Sequence, residues 1–222
     1  MIVHGIKQAV RSVGGRLGLF TEPPQLTGIE CGSAWYDGAF RDIEEYHRPY
    51  PQSRYYFLWA VIVDRVRRSG LRRILEIGCG PGQLAAFLLD QGVEQYTGLD
   101  FSPVAVEIAR AKAPAARLIV GDARTSSIYT EFRHDIIICT EVLEHIQDDL
   151  IVLDRFPAGT RCLCTVPNFP YESHVRHFRN PEEVTARYGS FFSDFDVAGF
   201  KGTQSAAEMY FLFDGVRNDY RA

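Results

Sequence analysis

The sequence predicts an α/β fold in which a mostly parallel, doubly wound sheet carries helices on both faces. Short apolar runs alternate with amphipathic stretches between residues 72 and 189, which is typical of strands joined by helical crossovers. A glycine-rich turn, residues 78–82, follows the first of these runs. The last two apolar runs, 191–200 and 209–216, have only a short link between them. They predict a C-terminal antiparallel hairpin instead of another crossover.

The elements follow in order along the chain. Strands are predicted at 72–77, 95–99, 117–120, 135–139 and 160–166, and helices at 83–91, 103–113, 141–156 and 181–188. Two helices have start signals, because Ser102 precedes Pro103 and Asn180 precedes Pro181. Glu183 adds the third position of a capping box. Ligand sites in such a sheet lie at the carboxyl ends of the strands.

The part of the chain before the first strand predicts a helical and aromatic cover. Residues 1–20 carry apolar positions at loose helical spacing, and 21–33 contain two prolines and two glycines, which favour irregular structure. Residues 34–56 mix aromatic and polar side chains, as expected of a lid, of a substrate pocket, or of both.

A helix with Ser53 as its N-cap is predicted to run to Gly70, because Gly is favoured just beyond a helix C-terminus. The change of pattern at this point divides the chain into two parts. We expect residues 1–70 to form an N-terminal extension and lid, and residues 71–222 to form the ligand-binding domain.

The bulk composition argues against nucleic acid and membrane as partners. The 222 residues carry a net charge of -4, so a strongly basic surface is not expected. No apolar run reaches the roughly 18–20 residues that span a bilayer, and the N-terminus lacks the pattern of a signal peptide. The five cysteines are odd in number and lie mostly in apolar runs, which indicates reduced, buried thiols. A cytoplasmic protein with a small-molecule partner is therefore expected.

The glycine turn reads G-C-G-P-G over residues 78–82. Its spacing differs from the dinucleotide fingerprint G-x-G-x-x-G and from the phosphate loop that ends in Gly-Lys-Ser/Thr. It also contains no Lys, Arg or Ser to bind a phosphate. A merely structural turn is one interpretation. The other is a turn that presents its backbone to an uncharged or zwitterionic nucleoside.

Two carboxylates follow later strands and support the second interpretation. Asp100 ends the second strand, about twenty residues beyond the turn, where a carboxylate accepts the ribose hydroxyls of a nucleoside. Asp122 follows the third strand, where it can accept from an adenine amino group while Ala123 leaves room for the ring. Each Asp taken singly is equally well explained as a helix cap.

These stretches together resemble the class I S-adenosylmethionine-dependent methyltransferases. The matching strings, in the order and spacing of the family, are ILEIGCGPG, GLDFS, GDA, CTEVLEHI and CTVPN, over about residues 72–170. Within the class, the chain is similar to the type 11/12 and ubiquinone-pathway O-methyltransferase group. The resemblance implies a Rossmann-like fold with S-adenosylmethionine as cofactor and S-adenosylhomocysteine as product. The cofactor-binding residues that it implies are Glu76, Gly78, Cys79, Gly80, Gly82, Asp100, Phe101, Asp122, Ala123 and Thr140.

The reaction implied by the resemblance needs alignment of an acceptor and, for a hydroxyl acceptor, removal of a proton. The candidate catalytic residues are Glu141, His145, His174 and His177. The resemblance implies that Glu141 lies near the reacting methyl. His174 and His177 lie in the long loop after the fifth strand, on the cofactor side of such a sheet.

A metal-free reaction is our preferred interpretation, with one alternative. Glu141, Glu144 and His145 share one face if they are helical, so with His174 or His177 as a fourth ligand they could bind a divalent metal. This arrangement is similar to the metal site of the small-RNA 2′-hydroxyl methyltransferases. The same E-x-x-E-H string also occurs in relatives similar to the ubiquinone-pathway enzymes, which are not defined by that site.

The function expected from the sequence is O-methylation of a small hydroxylated metabolite or saccharide. The residues expected to bind this acceptor are Tyr46, Tyr50, Arg54, Tyr55 and Asn168. N-methylation of a small amine remains an alternative, since aromatic side chains can bind an amine by cation–π contact. Two more alternatives are metal-dependent 2′-O-methylation of RNA and a catalytically silent subunit that binds the cofactor.

Overall fold

The computed structural model describes residues 28–219. The helical spacing predicted within residues 1–20, and most of the predicted irregular segment 21–33, lie outside this range. The described residues form a seven-stranded sheet of order β3-β2-β1-β4-β5-β7-β6. The strands are β1 Arg73–Ile77, β2 Gln95–Asp100, β3 Arg117–Val120, β4 Ile136–Thr140, β5 Arg161–Pro167, β6 Phe192–Lys201 and β7 Met209–Arg217.

The first five strands are parallel, and the last two form the predicted hairpin. β1 pairs with β2 on one side and with β4 on the other, so the strand order reverses between β1 and β4. β7 pairs antiparallel with both β5 and β6. The predicted fold class is confirmed, including the antiparallel C-terminal pair. The reversal places a crevice at the carboxyl ends of β1 and β4, where ligands bind in this architecture.

Helices cover both faces of the sheet. They are α1 Ser33–Asp42, α2 Tyr56–Ser69, α3 Gln83–Asp90, α4 Pro103–Lys112, α5 Ile128–Glu131, α6 Asp149–Asp154 and α7 Pro181–Tyr188. Short 3-10 turns span Glu44–His47, Tyr50–Gln52, Leu143–His145 and Gly189–Phe191. As predicted, Ser102 caps α4 by accepting from the Ala105 N–H, and Asn180 caps α7 by accepting from the Glu183 N–H.

The core is divided by the sheet because successive strand residues point to opposite faces. On one face, Ile74 of β1 packs in a cluster with residues of α2, α3 and α4. On the other face, its neighbour Leu75 packs with residues of α5, α6 and α7. Helix α2 therefore contributes to the same core as the sheet, through buried residues such as Ile62 and Val66.

Helix α2 starts later than predicted. Its C-terminus agrees with the prediction, since Gly70 has the left-handed conformation, with φ 68°. Its N-terminus does not, because the first helical residue is Tyr56 and the Ser53 hydroxyl does not cap the helix. Ser53 instead donates to the Glu45 carboxylate and accepts from the Tyr55 N–H, in the turn before the helix.

The prediction of one helix over residues 141–156 was wrong. Glu141 has φ 55°, and its N–H donates to the carbonyl and the hydroxyl of Thr165 on β5. This conformation cannot start a right-handed helix. The 3-10 turn Leu143–His145 follows, and the α-helix begins only at Asp149. The E-x-x-E-H string thus lies on an irregular loop, and its side chains do not share a helix face.

Within residues 28–219, none of the helices combines the length and the apolar character required to cross a bilayer.

Candidate active site

Two adjoining cavities lie in the crevice at the carboxyl ends of the strands. The smaller has a volume of about 110 Å³ and lies against Leu99, Asp122 and Ala123. The larger has a volume of about 700 Å³ and extends to the loop after β5. Both are lined by Tyr36, Phe40, Gly78, Glu141 and His145. The shared lining makes them two halves of one site.

The glycine turn after β1 forms the floor between the two halves. The N–H groups of Gly78 and Cys79 donate to the Leu99 carbonyl, which fixes the turn against β2. Gly78 has φ 69°, and a Cβ at this position would lie 2.2 Å from Cγ2 of Val142. Only glycine fits both the conformation and the contact. Cys79, Gly80 and Glu76 also line the larger cavity.

Gly82, at the end of the turn, packs closely against helix α4. It lines neither cavity, and a Cβ here would approach Cβ and Cα of Ala109 to 2.7 and 2.8 Å. Its φ of 78° and this contact let the start of α3 pack closely on α4. Gly82 therefore shapes the turn through helix packing.

Asp100 is the buried carboxylate at the end of β2. It is 5% exposed, and its two oxygens accept from the N–H groups of Gly80 at 2.8 Å and Ser102 at 2.9 Å. Burial raises the pKa of Asp100 to about 6, although these backbone donors oppose the rise. Each carboxylate oxygen can accept more than one hydrogen bond, so Asp100 retains capacity for two hydroxyl donors from the cavity.

Glu76, one strand away, is held differently. Its carboxyl accepts a hydrogen bond from the Tyr96 hydroxyl, and burial raises its pKa to about 8. Glu76 is therefore mostly protonated at neutral pH. It lines the larger cavity, as does Thr140 at the end of β4.

Asp122 lines the smaller cavity but is already bonded to Arg124. The Arg124 side chain donates to both of its oxygens, and this interaction lowers the pKa of Asp122. Arg124 also donates to Glu30 at 2.8 Å, and the other oxygen of Glu30 accepts from the Gln147 N–H at 2.8 Å. Glu30 thereby joins the loops after β3 and β4. Sequence patterns could not predict this bridge, because Glu30 lies far from Arg124 and Gln147 in the chain.

Helix α1 covers the junction of the two cavities. Its Tyr36 ring lies edge-on to His145 at 5.7 Å and packs on Phe101 at 5.2 Å between ring centroids. Its Asp37 carboxylate accepts from the Ser102 hydroxyl, which ties α1 to the start of α4. The aromatic composition of residues 34–56 predicts a lid, a substrate pocket or both, but not which ring packs where the two cavities meet.

A buried polar cluster closes the larger cavity beside Glu141. It contains Glu144, His145 and His174, whose potential ligand atoms lie within 4.8 Å of one another. Nδ1 of His145 lies 2.9 Å from the Ser173 carbonyl, and Nδ1 of His174 lies 3.0 Å from the Phe169 carbonyl. These contacts leave Nε2 of both rings with a free lone pair when Nδ1 carries the proton.

Burial dominates the electrostatics of this cluster. It lowers the pKa of His145 to about 3 and that of His174 to about 4, so both rings are neutral. It raises the pKa of Glu144 well above the ordinary value, and neither carboxyl oxygen of Glu144 has a hydrogen-bond partner. A fully buried carboxyl without a partner is costly. Such a group is expected where something else is to be bound.

Glu141 lines both cavities. One of its oxygens accepts from the Thr165 hydroxyl at 2.9 Å, and burial raises its pKa to about 8 against the opposing effects of Thr165 and Arg54. Its positive φ is a strained conformation for a residue with a side chain. The strain is sustained by the Thr165 contacts, and it turns the carboxyl toward the ligand space.

The remaining predicted residues divide into two groups. Tyr46, Arg54, Tyr55 and Asn168 line the larger cavity. Tyr50 does not, because it stacks on Phe87 of α3 and donates to Asp90. Nor does His177 line either cavity.

Sequence comparison places this site in a known kind of domain. A family model described as a methyltransferase domain matches residues 74–156. A ubiquinone biosynthesis O-methyltransferase from Histophilus somni is 27% identical over 146 residues, which are 60% of this chain and 56% of the relative. A trans-aconitate 2-methyltransferase from Methylobacterium radiotolerans is 32% identical over 121 residues, which are 52% of this chain and 46% of the relative. The chain spans about half the length of these curated relatives.

Solved structures share the fold at low identity. The N-methyltransferase NodS from Bradyrhizobium japonicum WM9, in complex with S-adenosylhomocysteine, matches with a TM-score of 0.59 and 20% identity, over 75% of this chain and 88% of that one. Magnesium protoporphyrin IX methyltransferase from Synechocystis PCC 6803, with bound S-adenosylmethionine, matches with a TM-score of 0.61 and 16% identity, over 84% and 97%.

Residues 74–156 therefore match a methyltransferase domain, and the described residues share the fold of solved methyltransferases that hold S-adenosylhomocysteine or S-adenosylmethionine. The residues present fit such a cofactor. Asp100 is buried and has spare acceptor capacity for ribose hydroxyls, and the smaller cavity beside Asp122 and Ala123 suits a flat ring. The turn from Gly78 to Gly80 leads from this cavity into the larger one.

Proposed function

We propose that the protein transfers a methyl group from S-adenosylmethionine to a hydroxyl group of a small metabolite or saccharide. One observation carries the proposal. The cavity beside Asp100 continues into a larger one, and the residues shared by both include Glu141 and His145, which can accept a proton. Two relatives support small-molecule chemistry, since they are named for ubiquinone biosynthesis O-methylation and trans-aconitate methylation.

The cofactor supplies an electrophilic methyl group, so the chain itself must bind the cofactor, align the acceptor and remove the proton of its hydroxyl. In this proposal Asp100 accepts hydrogen bonds from the ribose hydroxyls, and the smaller cavity beside Asp122 and Ala123 holds the adenine. Glu76, Thr140 and the turn bind the methionine part. Tyr36 and Phe40 exclude water from the junction, because both rings line both cavities.

Glu141 is the proposed proton acceptor for a hydroxyl. Its pKa of about 8 lies close to physiological pH, which favours general base catalysis, whereas the low pKa values of His145 and His174 make neutral imidazoles weaker bases. His145 and His174 are proposed to position the acceptor through Nε2. His177, outside both cavities, has no direct role in this proposal.

The division of the chain into an extension and lid, residues 1–70, and a cofactor domain, residues 71–222, remains a proposal. Residues 28–55 support a lid, since they reach over the site through Glu30 and Tyr36. Helix α2 belongs with the core, as shown above. The free cysteines support a reducing compartment, and we propose the cytoplasm.

The test has a binding arm and a turnover arm. Asp100→Ala should abolish binding of S-adenosylhomocysteine in calorimetry, while Asp90→Ala, a surface carboxylate on α3, should not. Unchanged affinity in Asp100→Ala refutes the cofactor assignment. A screen of hydroxylated metabolites, saccharides, amines and short RNAs for released S-adenosylhomocysteine then identifies the acceptor. Turnover with amines or RNA alone overturns the proposed acceptor class, and cofactor binding with no turnover favours a silent subunit.

A second candidate is metal-dependent transfer, favoured by the cluster of Glu144, His145 and His174. The two Nδ1 atoms face backbone carbonyls, the arrangement by which proteins orient histidine ligands, and the Glu144 carboxyl has no other partner. Glu141 is not part of this cluster. A bound divalent cation would lower the pKa of the Glu144 carboxyl and neutralise its charge.

Metal analysis and chelation decide between the two candidates. The metal-dependent candidate predicts bound metal in stoichiometric amount, loss of turnover after chelation and recovery on adding a divalent cation. It also predicts that Glu144→Gln lowers metal affinity by about 10- to 100-fold or more. Full activity of a metal-free preparation rules it out.

A further inference from the structure

Arg54 is a cation in the larger cavity that lacks a carboxylate partner. It lies just before α2, and its guanidinium lines the cavity close to Tyr55. Nη1 donates to the Gln204 side-chain carbonyl at 3.3 Å, and Nη2 donates to the Tyr55 hydroxyl at 2.9 Å. Nε is buried and has no acceptor. Among residues 28–219, no carboxylate lies within ion-pair distance of this side chain.

No acidic side chain in the described lining of the larger cavity forms an ion pair with Arg54. Arg54 is the only Lys or Arg side chain in the described lining of the larger cavity. Glu76 and Glu141, which also line this cavity, accept from the Tyr96 and Thr165 hydroxyls and form no ion pair with Arg54. Glu208 lines the rim and already accepts from the Gln204 N–H at 3.3 Å. A half-buried guanidinium without a counter-ion is costly for the free protein.

The hydrogen-bonding capacity of the guanidinium suits a planar anion. It has five N–H groups, of which the two bonds to Gln204 and Tyr55 use one each. Because Nε is buried, the N–H groups left to donate side by side to one acceptor are those remaining on Nη1 and Nη2. Paired N–H donors of this kind match the two oxygens of a carboxylate. One cation balances one negative charge, so a carboxylate is favoured over a phosphate dianion.

We propose that Arg54 binds a carboxylate group on the methyl acceptor, which makes the substrate a hydroxy acid. The proposal rests on the proposed function and deepens it by naming the chemical class of the acceptor. Tyr46 and Tyr55, which line the cavity beside Arg54, contact the body of the molecule. Binding of the carboxylate at Arg54 fixes the end of the acceptor away from the reacting hydroxyl. Arg54 thus determines the specificity for anionic over neutral acceptors.

The test measures binding without requiring turnover. Calorimetry compares 4-hydroxybenzoate, its neutral isostere 4-hydroxybenzamide and 4-hydroxyphenyl phosphate, with the protein saturated with S-adenosylhomocysteine. The wild type should bind the benzoate most tightly. Arg54→Gln should lose about 10- to 100-fold in affinity for the benzoate and less than about twofold for the amide, because only the charge-assisted bonds are removed.

Two further variants keep the result interpretable. Arg68→Gln removes an exposed Arg on α2, paired with Asp64, and should change no affinity. Arg54→Lys keeps the charge without the planar fork and should bind the benzoate with intermediate affinity. Thermal unfolding shows whether each variant is folded.

Several outcomes overturn the proposal. They are equal benzoate affinity in wild type and Arg54→Gln, tighter binding of the phosphate than of the benzoate, and no detectable binding of the benzoate to the wild type. Failure of the proposed function looks different. In that case S-adenosylhomocysteine itself does not bind, or binds equally to Asp100→Ala, and this is measured before any acceptor is added.

Discussion

The two halves of the site are built in different ways. The half around the smaller cavity, which we propose for the cofactor and call the cofactor half, consists of backbone and short side chains at the ends of adjacent strands, such as Gly78 after β1 and Asp100 at the end of β2. The half around the larger cavity, which we propose for the acceptor and call the acceptor half, consists of long side chains from separate segments, such as Arg54 before α2 and His174 after β5. The first is fixed by sheet geometry. The second depends on how several loops pack together.

This difference explains how each half is held in place. In the cofactor half, the turn is bonded to β2 by backbone groups, and the Asp100 carboxylate is bonded by backbone N–H groups. In the acceptor half, some polar groups around the cavity are buried and lack a hydrogen-bond partner, as with both carboxyl oxygens of Glu144 and Nε of Arg54. The cofactor half is thus complete before binding, whereas the acceptor half leaves polar groups to be satisfied by what binds there.

The largest effect is expected from Gly78→Ala. The new Cβ would lie 2.2 Å from Cγ2 of Val142 in a conformation that disfavours a side chain, so the floor of both cavities must shift. Binding of S-adenosylhomocysteine in calorimetry should be lost. The matched control is Gly92→Ala, which has φ 85° but open space around the Cβ. It should cost about 1–2 kcal/mol of stability and leave binding unchanged. Equal binding in the two variants would show that the turn does not form the site.

A mutation of Glu141 separates chemistry from cofactor binding. Glu141→Gln keeps the hydrogen bond from Thr165 but removes the group that takes the proton. With a hydroxyl acceptor, kcat should fall about 100-fold or more, while the affinity for S-adenosylhomocysteine stays within about twofold of the wild-type value. Glu182→Gln, at the exposed start of α7, is the control. An unchanged kcat would remove Glu141 from the proton transfer.

The pH dependence of cofactor binding tests Asp100. Its carboxylate must be ionised to accept both ribose hydroxyls, and its pKa in the free protein is about 6. Affinity for S-adenosylhomocysteine should be constant above pH 7 and fall about tenfold per pH unit below pH 6, because the proton must leave before the hydroxyls bind. In Asp100→Asn this slope should be absent. A wild-type affinity that is flat from pH 7 to pH 5 contradicts the assignment.

Protonation of Asp100 has the opposite effect on the stability of the free protein. Because its folded pKa is raised above the ordinary value, the folded state binds the proton more tightly than the unfolded state. The contribution of Asp100 to stability therefore grows as the pH falls from about 6 toward 4. Weaker cofactor binding in that range cannot then be attributed to unfolding at this group.

The smallest effect is expected from Tyr50, which lines neither cavity. Tyr50→Phe loses only the bond to Asp90 and keeps the stacking on Phe87, so the acceptor KM should change less than about twofold. Tyr55→Phe removes a hydroxyl that accepts from Arg54, and the acceptor KM should rise about threefold to tenfold. A larger rise in the acceptor KM for Tyr50→Phe than for Tyr55→Phe would show that Tyr50, and not Tyr55, belongs to the wall of the larger cavity.

Errors of the sequence-based prediction concentrate in the acceptor half. The strands, the capped helices at Ser102 and Asn180, and the final hairpin agree with the structure, because each is encoded by local pattern. The helix over 141–156 does not, because Thr165, 24 residues away, holds Glu141 in a left-handed conformation. Tyr50 shows the same limitation, since its neighbours Arg54 and Tyr55 face the cavity and it does not.

The sequence by itself determined the order of the strands along the chain, the turn at residues 78–82 and the carboxylate that follows β2. These features depend on neighbouring residues and on the fixed alternation of strand and helix, so periodicity and spacing are sufficient to find them. Only the tertiary structure decided which side chains meet in the acceptor cavity and which are left without partners. Glu30, Arg54 and Glu144 take their roles from contacts, or from the lack of them, with distant segments. The burial and the charge state of these side chains depend on the packing of the whole chain and not on any single segment of its sequence.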